Sequence, residues 1–203
     1  MTILSDLDGV LVDSHASIMR AWRWWGALHG VESQAVESVE HGRPSGEIIA
    51  LLAPELDAVA ESRALDQRQA EDTRDVVALP GALELFAGDE PVAVVTSCTM
   101  PLATARLRAA GLPIPDVLVT PERLSQGKPD PEGYLLAARE LGAEPADCVV
   151  LEDAPAGVDA GRAAGMRVVG ITTTHSLAEL PAHEHAPSIA AWLRSRRNGQ
   201  SGS

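Results

Sequence analysis

The sequence predicts an α/β fold: a doubly wound parallel sheet with a small helical cap inserted after the first strand. Two observations predict the sheet. Short apolar runs rich in β-branched residues recur at residues 2–4, 92–95, 117–119, 148–151 and 168–171. Helical patterns separate them, so successive strands run parallel and both faces of the sheet need covering. A third observation predicts the cap. Between Ser14 and about Leu79 no convincing strand pattern occurs, and apolar residues recur at helical spacing.

The first run leads directly into Asp6-Leu7-Asp8-Gly9. Ile18, Ala21, Trp22 and Trp25 then share one helical face, Ile48, Ile49, Leu51 and Leu52 make a second short helical run, and the Ala-rich, charged residues 55–74 suit a third helix. Pro80-Gly81 marks the return to the core. Pro101 opens a helix that ends before Gly111, Asp130-Pro131 caps and opens one that ends before Gly142, and Gly165 closes one that starts near Pro155. The core domain is therefore expected over residues 1–14 and 80–203, and the cap over residues 15–79, with hinges near Ser14 and Leu79. Residues 198–203 are expected to be a disordered tail, and Arg194, Arg196 and Arg197 a solvated, frayed end.

Composition narrows the function classes. The chain has 203 residues, 45% hydrophobic and 22% charged, which is ordinary for a soluble globular protein and excludes whole-chain disorder, collagen and coiled coil. Its net charge of −13 disfavours nucleic acid and anionic membrane surfaces as partners. No stretch approaches the roughly 18 apolar residues of a membrane span. No signal peptide is visible, and Cys98 and Cys148 sit in or beside apolar runs as packed thiols. A cytoplasmic protein, monomeric or weakly dimeric, is expected.

The chemistry lies just beyond the apolar runs. Asp6 and Asp8 come after the first, Thr96-Ser97 after residues 92–95, and Glu152-Asp153 after residues 148–151. Ligands of open α/β sheets bind outside the carboxyl ends of the strands, so these groups converge on one crevice. Four acids in one crevice repel one another, and a hard divalent cation such as Mg²⁺, which prefers oxygen ligands and keeps substrate phosphate in its shell, resolves the repulsion. Lys128 adds a fixed positive charge, and Thr96 with the following backbone N–H groups, those of Ser97 and Cys98, holds phosphate oxygens. Asp6 at the strand end is placed to attack phosphorus. Asp8 is placed to protonate the leaving oxygen and later to deprotonate the attacking water.

Residues 6–14, Asp-Leu-Asp-Gly-Val-Leu-Val-Asp-Ser, resemble the first motif of the haloacid-dehalogenase-like hydrolase superfamily. Thr96, Lys128 and Glu152-Asp153 resemble its second, third and fourth motifs, in family order. The chain resembles the branch with a small helical cap after the first motif, which includes sugar-phosphate phosphatases and β-phosphoglucomutase. His41-Gly42-Arg43, Pro80-Gly81 and the run from Glu152 to Val158 resemble glycerol-3-phosphate and 2-deoxyglucose-6-phosphate phosphatases. The resemblance implies a Rossmann-like core and a Mg²⁺-dependent phosphomonoesterase. It implies Asp6 as nucleophile and metal ligand, Asp8 as acid/base and as metal ligand through its backbone carbonyl, Asp153 as metal ligand, and Glu152 supporting it directly or through water. His41 and Arg43 would meet the substrate's second polar group, although Arg43 stands one position earlier than in the usual His-Gly-x-Arg pattern. Met100 replaces the polar side chain of the mutase branch, which favours hydrolysis over mutase chemistry. The expected partner is a small phosphorylated sugar or polyol. The alternatives are a sugar phosphomutase using the same aspartyl-phosphate and a non-catalytic binding module on the same fold.

Trp22, Trp24 and Trp25 are expected to pack the cap's own core. His175, His183 and His185 lack ligand spacing and read as exposed loop residues.

Overall fold

Successive side chains on a strand point to opposite faces, and these strands bury both. In the computed structural model, which describes residues 1–32, 35 and 45–200, Ile3, Val94, Val149, Leu151 and Val169 join one buried apolar cluster. Their neighbours Leu4, Ala93, Val95, Val150 and Val168 join another. Among the described residues the chain runs β1 (Thr2–Ser5), β2 (Val12–Asp13), α1 (His15–His29), α2 (Ser45–Leu52), α3 (Ala58–Glu71), β3 (Val77–Ala78), α4 (Ala82–Phe86), β4 (Val92–Val95), α5 (Met100–Ala109), β5 (Leu118–Val119), α6 (Glu132–Glu140), β6 (Cys148–Glu152), α7 (Pro155–Ala163), β7 (Arg167–Ile171), β8 (Glu184–Ala186) and α8 (Ile189–Gln200).

Six strands form one sheet in the order β5-β4-β1-β6-β7-β8, and every pairing is parallel. Helices α4, α5 and α8 cover one face through Leu85, Leu102, Leu107, Ile189 and Trp192. Helices α6 and α7 cover the other through Tyr134, Ala137, Val158 and Ala160. This is the doubly wound sheet expected from the sequence. Central β1 pairs with β4 on one side and β6 on the other. The chain order switches across β1, and a crevice opens there at the carboxyl ends of the strands.

Helices α1, α2 and α3 bury a separate apolar cluster of Ala21, Trp22, Trp25, Ile48, Ile49, Ala53 and Leu65. The rings of Trp22 and Trp25 meet edge to face with centroids 5.5 Å apart. Trp24 instead faces solvent, with the Arg68 guanidinium 5.8 Å from its ring centroid. Asp57 starts α3 by accepting from the Val59 and Ala60 N–H groups at 3.0 and 3.2 Å.

Three expectations need correction. A strand does occur before Leu79: β3 pairs antiparallel with β2, Val12 opposite Ala78 and Asp13 opposite Val77, tying together the segments that enter and leave the helices. Two residues are too few to display a period. Strand β8 is polar, and its pairing with β7 was not visible in the sequence pattern. The disordered tail expected from residue 198 is replaced by helix α8 through Gln200; residues 201–203 lie outside the described residues. Trp192 anchors that helix in the core, and Arg196 is held by Glu90 at 2.9 Å with its guanidinium 4.9 Å from the Trp192 ring centroid. Among the described residues no helix is long and apolar enough to cross a membrane.

Candidate active site

The site forms where β1, β4 and β6 end. The Asp6 N–H donates to the Leu151 carbonyl at 2.9 Å, which fixes the backbone just past β1 against β6. Glu152 closes β6, and Asp153 follows it. Asp6, Glu152 and Asp153 are all buried, and each offers an oxygen within 4.8 Å of the others. Gly9 lets the loop after Asp8 approach: its φ is 75°, and a Cβ there would lie 2.0 Å from Asp153 Oδ2.

Lys128 enters this acidic trio. Its Nζ donates to Asp6 Oδ1 at 2.5 Å, Glu152 Oε1 at 2.6 Å and the Val95 carbonyl at 3.0 Å. Glu152 also accepts from the Tyr134 hydroxyl at 2.7 Å and from the N–H groups of Asp153 and Ala154 at 3.1 and 3.3 Å. Burial opposes the Lys128 charge, yet Asp6 and Glu152 outweigh it and hold the ammonium above its usual range. Burial, with Glu152 and Asp8 adding to it, pushes Asp6 up to about 7 against the pull of Lys128. Burial and the charges of Asp6 and Glu152 push Asp153 well above the usual carboxylate range. One ammonium among three carboxylates leaves the cluster short of positive charge. An all-oxygen, anionic donor set of this kind fits a hard divalent cation.

Asp8 stands apart from the trio. Its Oδ1 accepts from Ser14 Oγ at 2.5 Å, and its Oδ2 accepts from Arg106 Nη1 at 2.5 Å and from the Cys98 thiol at 2.9 Å. Thr96 is buried at the end of β4, and Ser97 is exposed; both line the same cavity as the carboxylates. The Cys98 N–H, expected to face phosphate, donates instead to Thr96 Oγ1 at 3.1 Å, closing the turn after β4. His41 and Arg43 lie outside the described residues. The cavity holds about 600 Å³ and extends from the trio to Trp22 on α1, Ile48 on α2, and Asp66 and Gln69 on α3.

Several site residues were missed in the sequence. Tyr134 is the chain's single tyrosine, and Arg106 is a charge on the buried side of α5; both are odd enough to have signalled a role. Thr174 hydrogen-bonds to Asp153 Oδ2, and His175 Nδ1 lies 2.8 Å from the Asp153 carbonyl oxygen. His175 is therefore half-buried beside Asp153 rather than free in an exposed loop. No sequence spacing marked these two.

Helix α7 packs tightly on Glu152. A Cβ at Gly157 would sit 1.8 Å from Glu152 Oε1 and 1.9 Å from its carboxyl carbon. Glu152 is 1% exposed and has nowhere to retreat. Gly157→Ala is expected to lower thermal stability by roughly 1–3 kcal/mol through overpacking. It also displaces a Lys128 partner, so turnover should fall with it. A melting curve read beside a phosphate-release assay checks both.

A family model described as haloacid dehalogenase-like hydrolase matches residues 1–165. The chain is 45% identical over 177 residues to hexitol phosphatase A of Escherichia coli (strain K12), covering 83% of this chain and 81% of that protein. It is 32% identical over 191 residues to glycerol-1-phosphate phosphohydrolase 2 of Saccharomyces cerevisiae (strain ATCC 204508 / S288c), covering 86% of this chain and 75% of that protein. The crystal structure of CbbY from Rhodobacter sphaeroides in complex with phosphate superposes with a TM-score of 0.77 at 27% identity, over 93% of this chain and 94% of that one.

Proposed function

Because the chain belongs to the haloacid dehalogenase-like hydrolase family, we propose that it is a Mg²⁺-dependent phosphatase that frees phosphate from a small sugar or polyol phosphate through an aspartyl-phosphate on Asp6. The observation that supports this most is the buried trio of Asp6, Glu152 and Asp153, with the Lys128 ammonium bridging the first two. The relatives that act on hexitol and glycerol phosphates point to the same substrate class.

In the first step an Asp6 carboxylate oxygen bonds to phosphorus, and the bond from phosphorus to the substrate's alcohol oxygen breaks. Asp8 gives that oxygen its proton. In the second step Asp8 takes a proton from water, the water oxygen bonds to phosphorus, and the Asp6 carboxylate is released with inorganic phosphate. Thr96 and Ser97 orient the phosphoryl oxygens, and Lys128 offsets their charge. Asp6, the Asp8 backbone carbonyl and Asp153, with Glu152 directly or through water, would hold Mg²⁺. Bound there, the ion supplies electrostatic stabilisation of the transferring phosphoryl group. The helices of residues 15–79 form a cap that closes over the cavity and excludes bulk water during transfer.

The test is phosphate release from a panel of small phosphomonoesters, with Mg²⁺ and with chelator. Many turnovers of free phosphate that chelator abolishes are expected. Isomerised hexose phosphate with little free phosphate would instead establish a mutase. A protein that binds these esters without turnover would be a binding module.

A further inference from the structure

The cap end of the cavity carries polar groups that the transfer chemistry does not use. Arg106, on α5, is 2% exposed. Its Nη1 donates to Asp8 and its Nη2 donates to Gln69 Oε1, each at 2.5 Å. Gln69 lies on α3 and is 6% exposed. One turn earlier on the same helix stands Asp66, half-buried, lining the cavity and interacting with Arg106 and Thr99. A single guanidinium thus reaches from Asp8 to the cap. In the proposed reaction Asp8 protonates the leaving oxygen, and the cavity that holds Asp8 also reaches Gln69 and Asp66, which gives the carbon chain attached to that oxygen a place to lie.

We infer that Asp66 and Gln69, with Arg106 holding Gln69 in place, form a subsite for the hydroxyl groups of a polyol leaving group, and that this subsite disfavours leaving groups bearing a second anion. The inference rests on the phosphatase reading and on the place of Asp8 in it. Charge decides for hydroxyls over anions. Asp8 and Asp66 put two carboxylates beside one guanidinium, and Glu122 adds further negative charge near Asp66. Both Nη atoms of Arg106 are already engaged. A second phosphate or a carboxylate would enter a region of net negative charge. A hydroxyl finds an acceptor in the Asp66 carboxylate and an amide in Gln69. Burial pushes Asp66 up to about 6, with Arg106 and Thr99 opposing, so above that pH it is mainly the charged acceptor. Trp22, Ile48 and Leu102 also line the cavity and suit the C–H edges of a carbon chain.

The experiment compares kcat/KM for a hexitol 6-phosphate, glycerol 3-phosphate, 3-phosphoglycerate and ethyl phosphate in the wild type, Asp66→Asn and Gln69→Leu. The preference for hexitol phosphate over ethyl phosphate should fall about 10–100-fold in Asp66→Asn, the range for a hydrogen bond to a charged group. It should fall in Gln69→Leu as well. The discrimination of glycerol 3-phosphate from 3-phosphoglycerate should narrow in Asp66→Asn. A ratio that stays constant in both variants, however far each activity drops, overturns the subsite. If Asp66→Asn shows no cooperative melt, the ratio in Gln69→Leu decides. A wild type that turns over none of the four esters overturns the phosphatase reading and the subsite together; one that prefers ethyl phosphate overturns the subsite alone.

Discussion

Asp6→Asn is expected to reduce phosphate release by on the order of 10⁴–10⁶-fold, the scale seen when a covalent nucleophile is removed. The fold should survive. The backbone at residue 6 is held by the Leu151 carbonyl and the Ser5 hydroxyl, neither of which depends on the side chain's charge. Asn keeps the size and shape of Asp and cannot form an acyl phosphate. It also takes one charge out of a trio whose burial opposes ionisation. Without metal, the variant should therefore melt no lower than the wild type. Inactivity joined to undiminished stability distinguishes a chemical role from a structural one. Phosphate release and a thermal melt in chelator measure the two halves. Activity within tenfold of wild type would remove Asp6 from the bond-forming step.

The parts of the molecule legible in the sequence were those in which neighbours along the chain act together. The central strands are short apolar runs, and the acids lie immediately beyond their ends, so the topology of a parallel sheet gathers them without any knowledge of packing. Arg106 is different. It meets Asp8, 98 residues away, and Gln69, 37 residues away. Only the docking of α3 on α5 decides those contacts. Its sequence cue was a charge in helical register with Leu102 and Leu107, both buried. A buried arginine demands partners, and that demand was the readable part. Tyr134 carried a similar cue, a hydroxyl on a helix face otherwise buried through Ala137 and Ala138. The β2–β3 ribbon carried none, because two-residue strands have no period. Helix α8 did have apolar spacing at Ile189, Trp192 and Leu193, but its polar, arginine-rich end suggested fraying. The ion pair of Arg196 with Glu90 and its stacking on Trp192 give that end partners.

Lys128→Met should be the most destabilising single change at this site, and its effect should grow with pH. The ammonium bridges Asp6 and Glu152, and all three side chains are largely withdrawn from solvent. Removing one partner of a buried pair costs about 3–5 kcal/mol, because the remaining charges are left uncompensated. Turnover should fall by roughly 10²–10³-fold, as when one electrostatic donor to a reacting group is lost. The pH dependence comes from the sign of each shift. Lys128 titrates higher in the folded protein than its ordinary 10.5, so it stays protonated across pH 5–9 and its own titration adds no slope there; the pH dependence comes from the acids it faces. Asp6 is raised from 3.8 to about 7, so the folded protein binds its proton more tightly than the unfolded chain does. This group therefore favours folding most below its unfolded value. The advantage, on the order of a few kcal/mol, disappears as the pH rises through 7. Asp153 is shifted in the same direction. In chelator, wild-type stability should fall between pH 5 and 8, and the variant's should fall more steeply because no ammonium offsets the new charges. Mg²⁺ at 100 times its dissociation constant should restore about 2.7 kcal/mol by mass action, and at one fixed Mg²⁺ concentration the rescue should be larger at pH 8, where binding is tighter, than at pH 5. Melting curves of both proteins at the two pH values, with chelator and with Mg²⁺, test this directly. A deficit of the same size at pH 5 and pH 8 would show that Lys128 does not neutralise the acidic trio.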